Sequence, residues 1–126
     1  MARLGHDGRR LLMVLNADIK QGRFKPGDPT TFMPYSEALE RLGRKSSSMY
    51  AGRRLQREGL TELNEWTKLA GVPKIAGLIV NKGTWEPSSG YPESHGFGAT
   101  NDEWKTWWLA ETAKAIAFDW APFLSQ

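Results

Sequence analysis

Tyr35-Ser-Glu-Ala-Leu-Glu-Arg-Leu-Gly43-Arg-Lys-Ser46-Ser-Ser-Met49-Tyr50-Ala-Gly-Arg53-Arg54-Leu55-Gln56-Arg57-Glu-Gly59-Leu60 is the stretch on which the fold turns. Pro34 suits a first helical position, because its missing N–H would be unpaired there in any case. Glu37 complements the positive end of the helix dipole, and Tyr35, Ala38, Leu39 and Leu42 form an inward stripe. Gly43 supplies the left-handed residue that ends many helices. Ser46, Ser47 or Ser48 can cap a second helix by accepting a hydrogen bond from an exposed N–H, and that helix is expected to run to about Glu58 and stop at Gly59. Two short helices joined by a tight basic turn follow from these residues.

This segment resembles a DNA-binding helix-turn-helix: a short helix ending in Leu-Gly, a turn of a few residues, a serine-rich start, and a second helix bearing Tyr50, paired Arg53 and Arg54, and Leu55. Leu39 and Leu42 can pack on Met49 and Leu55, leaving Arg53, Arg54, Gln56 and Arg57 outward. In that arrangement the arginines can fork onto guanine and Gln56 onto adenine, while Ser46–Ser48 and the helix start hold a phosphate. The downstream chain is similar to a winged helix, with Ile75–Asn81 as first wing strand, Lys82 to Gly90 as tip and Tyr91 onward as return. An intervening helix at Thr61–Ala70, with Pro92 and Gly96 in the return, departs from that pattern. A looser likeness links Tyr35–Gly43, Ala51-Gly52-Arg53 and Pro73–Tyr91 to the DNA-binding half of alkyltransferase-like proteins. Ile79-Val80-Asn81-Lys82 stands where that family carries Pro-Cys-His-Arg, so alkyl transfer to cysteine is not inherited.

Upstream, residues 1–8 lack periodicity and read as a loose N-terminal tail, with 9–126 as one globular domain. Leu11, Leu12, Val14, Leu15 and Ile19 recur at helical spacing over about Arg9–Gln21, and Lys25–Thr31 is turn chemistry. Downstream, Thr61 is expected to cap a helix that buries Leu63, Trp66, Leu69 and Ala70 and breaks at Gly71-Val72-Pro73. The β-branched run Ile75–Val80 reads as a buried strand, Lys82–Ala99 as a long loop or hairpin, and Asn101 or Asp102 as the cap of a last helix carrying Trp104, Trp107 and Trp108. The fold class is thus α+β: a small, mainly helical domain with a helix-turn-helix and a short β-hairpin or small sheet, winged-helix-like.

The chain has 126 residues, 40% hydrophobic and 25% charged, enough to bury a core without disulfide or metal staples. It has no cysteine, which excludes thiol catalysis, thiolate metal sites and disulfides. Its apolar runs are far shorter than the ~20 residues of a membrane-crossing helix, and the N-terminal run lacks a signal peptide's cleavage pattern, so a cytoplasmic protein is expected. The net charge of +3 conceals an asymmetry: residues 1–63 hold 12 Lys+Arg against 7 Asp+Glu, and residues 64–126 hold 5 against 7. From Arg41 to Arg57 there are six cationic side chains and no carboxylate, a local field that attracts phosphates or acidic proteins.

No phosphate-cradling Gly-Lys-Ser/Thr signature and no metal-ligand spacing around His6 or His95 is present, so neither a cofactor nor a metal is expected. Ser88, His95 and Asp102 lack the elbow motif of a catalytic triad. The leading expectation is a small non-catalytic protein that binds nucleic acid, duplex DNA first. Its contacts would be Arg44, Lys45, Ser46, Ser47, Ser48, Tyr50, Arg53, Arg54, Gln56 and Arg57, with Lys82 and Trp85 on the wing. The alternative is a protein-binding module, an inhibitor or immunity-type protein of bacteria or phage, using the basic face and exposed tryptophans. An enzyme acting on nucleic acid through the Glu93–His95 loop is third.

Overall fold

A computed structural model describes residues 3–43, 54–88, 90–98 and 102–124. Helix α1 (His6–Lys20) starts three residues before the apolar periodicity does, and Leu4, ahead of it, is already buried. The early start has a tertiary cause. The Glu62 carboxylate accepts the Gly8 N–H at 3.1 Å, satisfying a donor that the first turn of a helix leaves unpaired. Leu11, Leu12 and Leu15 form the buried stripe of α1.

After the Pro26-Gly27 turn, a 3-10 turn at Pro29–Thr31 leads into strand β1 (Met33–Pro34) and helix α2 (Tyr35–Arg41). The Asp28 side chain accepts the Thr30 N–H and so caps that turn. Beyond the segment 44–53, Arg54 and Leu55 are helical, and a wide turn at Gln56–Leu60 carries the chain into helix α3 (Thr61–Ala70). The break expected at Gly59 is present: Gly59 has φ +123°, and its Cα lies so close to α1 that a Cβ would stand 2.7 Å from the Asp7 carbonyl oxygen. Thr61 is not a cap. Leu60 before it already has helical φ and ψ, so the helix restarts directly after Gly59 and Thr61 lies inside it.

The apolar run after Pro73 corrects the strand expectation. Ile75–Leu78 form a 3-10 turn, and only Ile79–Val80 are extended, as strand β2. A short apolar run carries no period that separates a strand from a segment buried on every side, and here every residue from Ile75 to Val80 is buried. Strand β2 pairs in parallel with β1, Met33 opposite Ile79 and Pro34 opposite Val80. The fold is therefore α+β and mostly helical, with a small two-stranded sheet, and that sheet is not a hairpin.

The return strand expected after Tyr91 is instead helix α4 (Gly90–Ser94), followed by α5 (Glu103–Ala117) and α6 (Ala121–Leu124). Pro92 removes a ladder donor and fits the first turn of a helix better than a strand. Helix α5 closes the core from the far side. The Trp108 indole N–H donates to the Gly77 carbonyl at 2.8 Å, and Trp120 donates to Ala115 at 2.9 Å, so both buried rings keep their one polar atom paired. Among the described residues no helix is long and apolar enough to cross a membrane.

Candidate functional site

Of the nucleic-acid contacts expected from sequence, Arg44, Lys45, Ser46, Ser47, Ser48, Tyr50 and Arg53 lie outside the described residues, and the structure places the two ends of their segment. At the entry, α2 ends as the sequence predicts. Gly43 has φ +80° and its N–H bonds to the Glu40 carbonyl at 2.9 Å. Arg10 from α1 donates to the Leu42 carbonyl at 2.9 Å, placing a cation at the negative end of the α2 dipole. At the exit, Leu55 is fully buried, Arg54 and Gln56 are half-buried, and Arg57 is exposed. The exit is thus anchored through Leu55, with Arg57 turned to solvent.

The charge around this segment is more balanced than its sequence suggests. Arg41 reaches the two oxygens of Asp18 at 3.0 and 3.1 Å, and Arg23 reaches the same carboxylate at 2.8 Å and also binds Glu37. Burial alone would raise the pKa of Asp18, but the hydrogen bonds from Arg41 and Arg23 outweigh it and hold the carboxyl below the usual carboxylate range. Arg54 lies 4.0 Å from Glu58, one helical turn on. The run from Arg41 to Arg57 is therefore free of carboxylates in sequence but not in space: the structure brings Asp18 to one end and Glu58 to the other. Linear charge counting misses this because Asp18 belongs to α1.

The loop after β2 is a tight turn. Asn81 N–H bonds to the Glu86 carbonyl at 2.9 Å, and Trp85 N–H to the Asn81 carbonyl at 2.8 Å. Lys82 is exposed at its tip. Trp85 holds φ +57°, unusual for a bulky residue, and its ring packs back against the core. None of the six tryptophans is exposed: Trp66, Trp108 and Trp120 are buried, and Trp85, Trp104 and Trp107 are half-buried. The exposed tryptophans of the protein-binding alternative are therefore packed side chains.

His95 is also packed. Its ring lies 4.6 Å from Tyr91 and 4.7 Å from Trp107, and Nε2 is 3.1 Å from the Asn64 amide oxygen. Burial, then the charges of Lys68 and Lys74, push its pKa down to about 4. The ring is neutral at pH 7, and Nε2–H donates to Asn64. With Asn64, Lys68 links α3 to α4, donating to the Ser94 carbonyl.

A cleft of about 220 Å³ opens beside this clasp. It is lined by Tyr35, Leu60 and Ala76, by Gln56 with Thr61, Asn64 and Glu65 of α3, and by Pro87, Ser88, Gly90, Tyr91 and Ser94. The cleft thus brings Gln56 of the arginine-bearing segment together with the loop that follows β2. Gln56 faces this cleft, whereas Arg57 is exposed to solvent. The Tyr35 hydroxyl accepts the Ser88 N–H at 2.7 Å and ties that loop to α2. Asn64, Tyr91 and Ser94 were not singled out by sequence reasoning. The available signal was Thr61 and Asn64, polar residues three apart on one face of a helix.

Among the described residues no three His, Asp or Glu side chains gather closely enough to hold a metal ion. The chain matches no family model, no curated protein and no solved structure.

Proposed function

We propose that the protein is a small, non-catalytic, cytoplasmic DNA-binding domain that presents the segment between Gly43 and Gly59 to a duplex. One observation carries this reading: Leu55 is wholly buried while Arg57, two residues on, is exposed, which is the inside-outside pattern a groove- or backbone-contacting helix requires. The left-handed Gly43 at the end of α2 supports it, as does the exposed Lys82 at the neighbouring loop tip. The Arg54–Glu58 pair does not oppose it. Half-exposed pairs at 4.0 Å contribute about 0–1 kcal/mol, less than a charge-assisted bond from arginine to phosphate offers. Arg41, held by Asp18 and near Glu37, is committed to the fold and is not a contact.

The test is a gel shift with random duplex DNA, single-stranded DNA and RNA at two salt concentrations. Duplex retention that falls with salt, and its loss in the double variant Arg53→Glu, Arg54→Glu, are expected. Unchanged retention in that variant sinks the assigned face. No retention of any nucleic acid, with a stoichiometric protein complex instead, favours the protein-binding module.

A further inference from the structure

The cleft that α3 forms with Pro87, Ser88, Tyr91 and Ser94 has features that the DNA-binding reading does not use. Its volume of about 220 Å³ lies below the roughly 300–1,000 Å³ of pockets that take drug-sized molecules, so it fits a ligand of one or two rings. Its lining combines apolar and aromatic residues with hydrogen-bonding side chains.

Gln56 and Thr61, on the α3 side, have unused capacity. Thr61 donates to the Gln56 side-chain oxygen at 2.5 Å, which leaves the Gln56 amide N–H₂ without a partner among the described residues. The Thr61 oxygen keeps its lone pairs. Asn64, by contrast, is engaged on both sides, by His95 and at 3.4 Å by Ser94. The only formally charged side chain among the described lining residues is Glu65, and Lys68 pairs with it at 3.1 Å. The α3 side of the site therefore offers the Gln56 amide donor and the Thr61 hydroxyl acceptor near Tyr35, and no described lining residue is an uncompensated cation that could hold a phosphate or a carboxylate.

We infer that this cleft binds a small uncharged ring bearing adjacent amide-type N–H and C=O groups, the C=O taken by the Gln56 amide and the N–H by the Thr61 oxygen. Free carboxamides and free nucleosides share this chemistry, and neutrality at the rim rejects their phosphorylated or carboxylated forms. The inference does not depend on whether the arginine-bearing segment holds a duplex.

The full chain is titrated in the absence of DNA with nicotinamide, uridine, uridine 5′-monophosphate and nicotinate, with binding followed by amide chemical shifts in NMR. Saturable binding of nicotinamide or uridine, with shifts centred on Thr61, Asn64 and Ser94 and the anionic analogue of the binder weaker, is expected. Gln56→Leu and, separately, Thr61→Val should each weaken the neutral binder roughly three- to tenfold, the loss of one hydrogen bond. Folding of each variant is checked by its own amide spectrum, and either folded variant suffices. Absence of saturable binding by both neutral rings overturns the inference. So do anions that bind as tightly as the neutral rings, shifts that lie elsewhere, or affinity unchanged in a folded variant.

Discussion

Arg41, in the last turn of α2, holds both carboxylate oxygens of Asp18, in the last turn of α1. This pair, joined by Arg23, fixes how the first helix meets the second and so where the arginine-bearing segment begins. Asp18→Ala takes a buried carboxylate from both guanidinium groups and leaves Glu37 as the carboxylate they share. Because those groups are 29% and 38% exposed, the expected loss lies below the 3–5 kcal/mol of a fully buried pair, at about 1–3 kcal/mol. Urea unfolding midpoints check it.

The same carboxylate sets an acid limit. Its pKa in the folded state lies below the ordinary 3.8, so the folded chain binds this proton less readily than the unfolded chain does. The stabilisation is full above that ordinary value and is lost as pH falls through the folded pKa. In Asp18→Asn, the pH dependence of unfolding below about pH 4 should be shallower than in the parent chain.

His95 acts with the same sign in a higher pH window. Its folded pKa of about 4 lies below its ordinary 6.5, so the unfolded chain takes up the proton first. Stability should fall as pH drops from about 6.5 to about 4 and then level off with respect to this group. An NMR titration of the His95 ring is expected to show a midpoint near 4. A midpoint near 6.5 would contradict the packing between Tyr91 and Trp107.

Tyr91 buries a hydroxyl that has no hydrogen-bond partner among the described residues. Burial, and then the Glu111 charge, raises its pKa, so it is neutral throughout the accessible range. Removing an unpaired buried polar atom while keeping the ring should be neutral or stabilising, by up to about 1 kcal/mol. Thermal unfolding of Tyr91→Phe tests this, and a clear destabilisation would reveal a partner for the hydroxyl.

Gly59→Ala meets two obstacles, a left-handed φ of +123° and the Asp7 carbonyl 2.7 Å from the new Cβ. A loss of about 2 kcal/mol or more is expected from unfolding curves. Arg57→Ala, by contrast, should leave stability unchanged within about 0.5 kcal/mol, because Arg57 is exposed. It should reduce the slope of log affinity for duplex against log salt by about one.

Much of the local structure was legible in the sequence. Leu11, Leu15 and Ile19 at helical spacing marked α1, Gly43 and Gly59 marked the breaks on either side of the basic segment, and the run of buried leucines marked the core. The parts that were not legible depend on residues far apart in the chain. Ile75–Leu78 coil into a 3-10 turn because Trp108 and Tyr91 close over Gly77, where a Cβ would stand 2.8 Å from both side chains. The pairing of β2 with β1 requires knowing that Met33 meets Ile79, and no hairpin turn announces it. The cleft is hidden for the same reason: its lining comes from Gln56, Thr61 and Asn64 on one side and Pro87, Ser88, Tyr91 and Ser94 on the other, which share no motif.

The two-residue parallel ladder has an evolutionary corollary. Met33 and Ile79 stand 46 positions apart, so everything from α2 through α3 is strung between two fastened points of the interior. Lengthening a fastened span is thermodynamically mild, about 0.6 kcal/mol for each doubling. Descendants of this chain can therefore rewrite the basic stretch, in length as well as in charge, while inheriting the same interior around it.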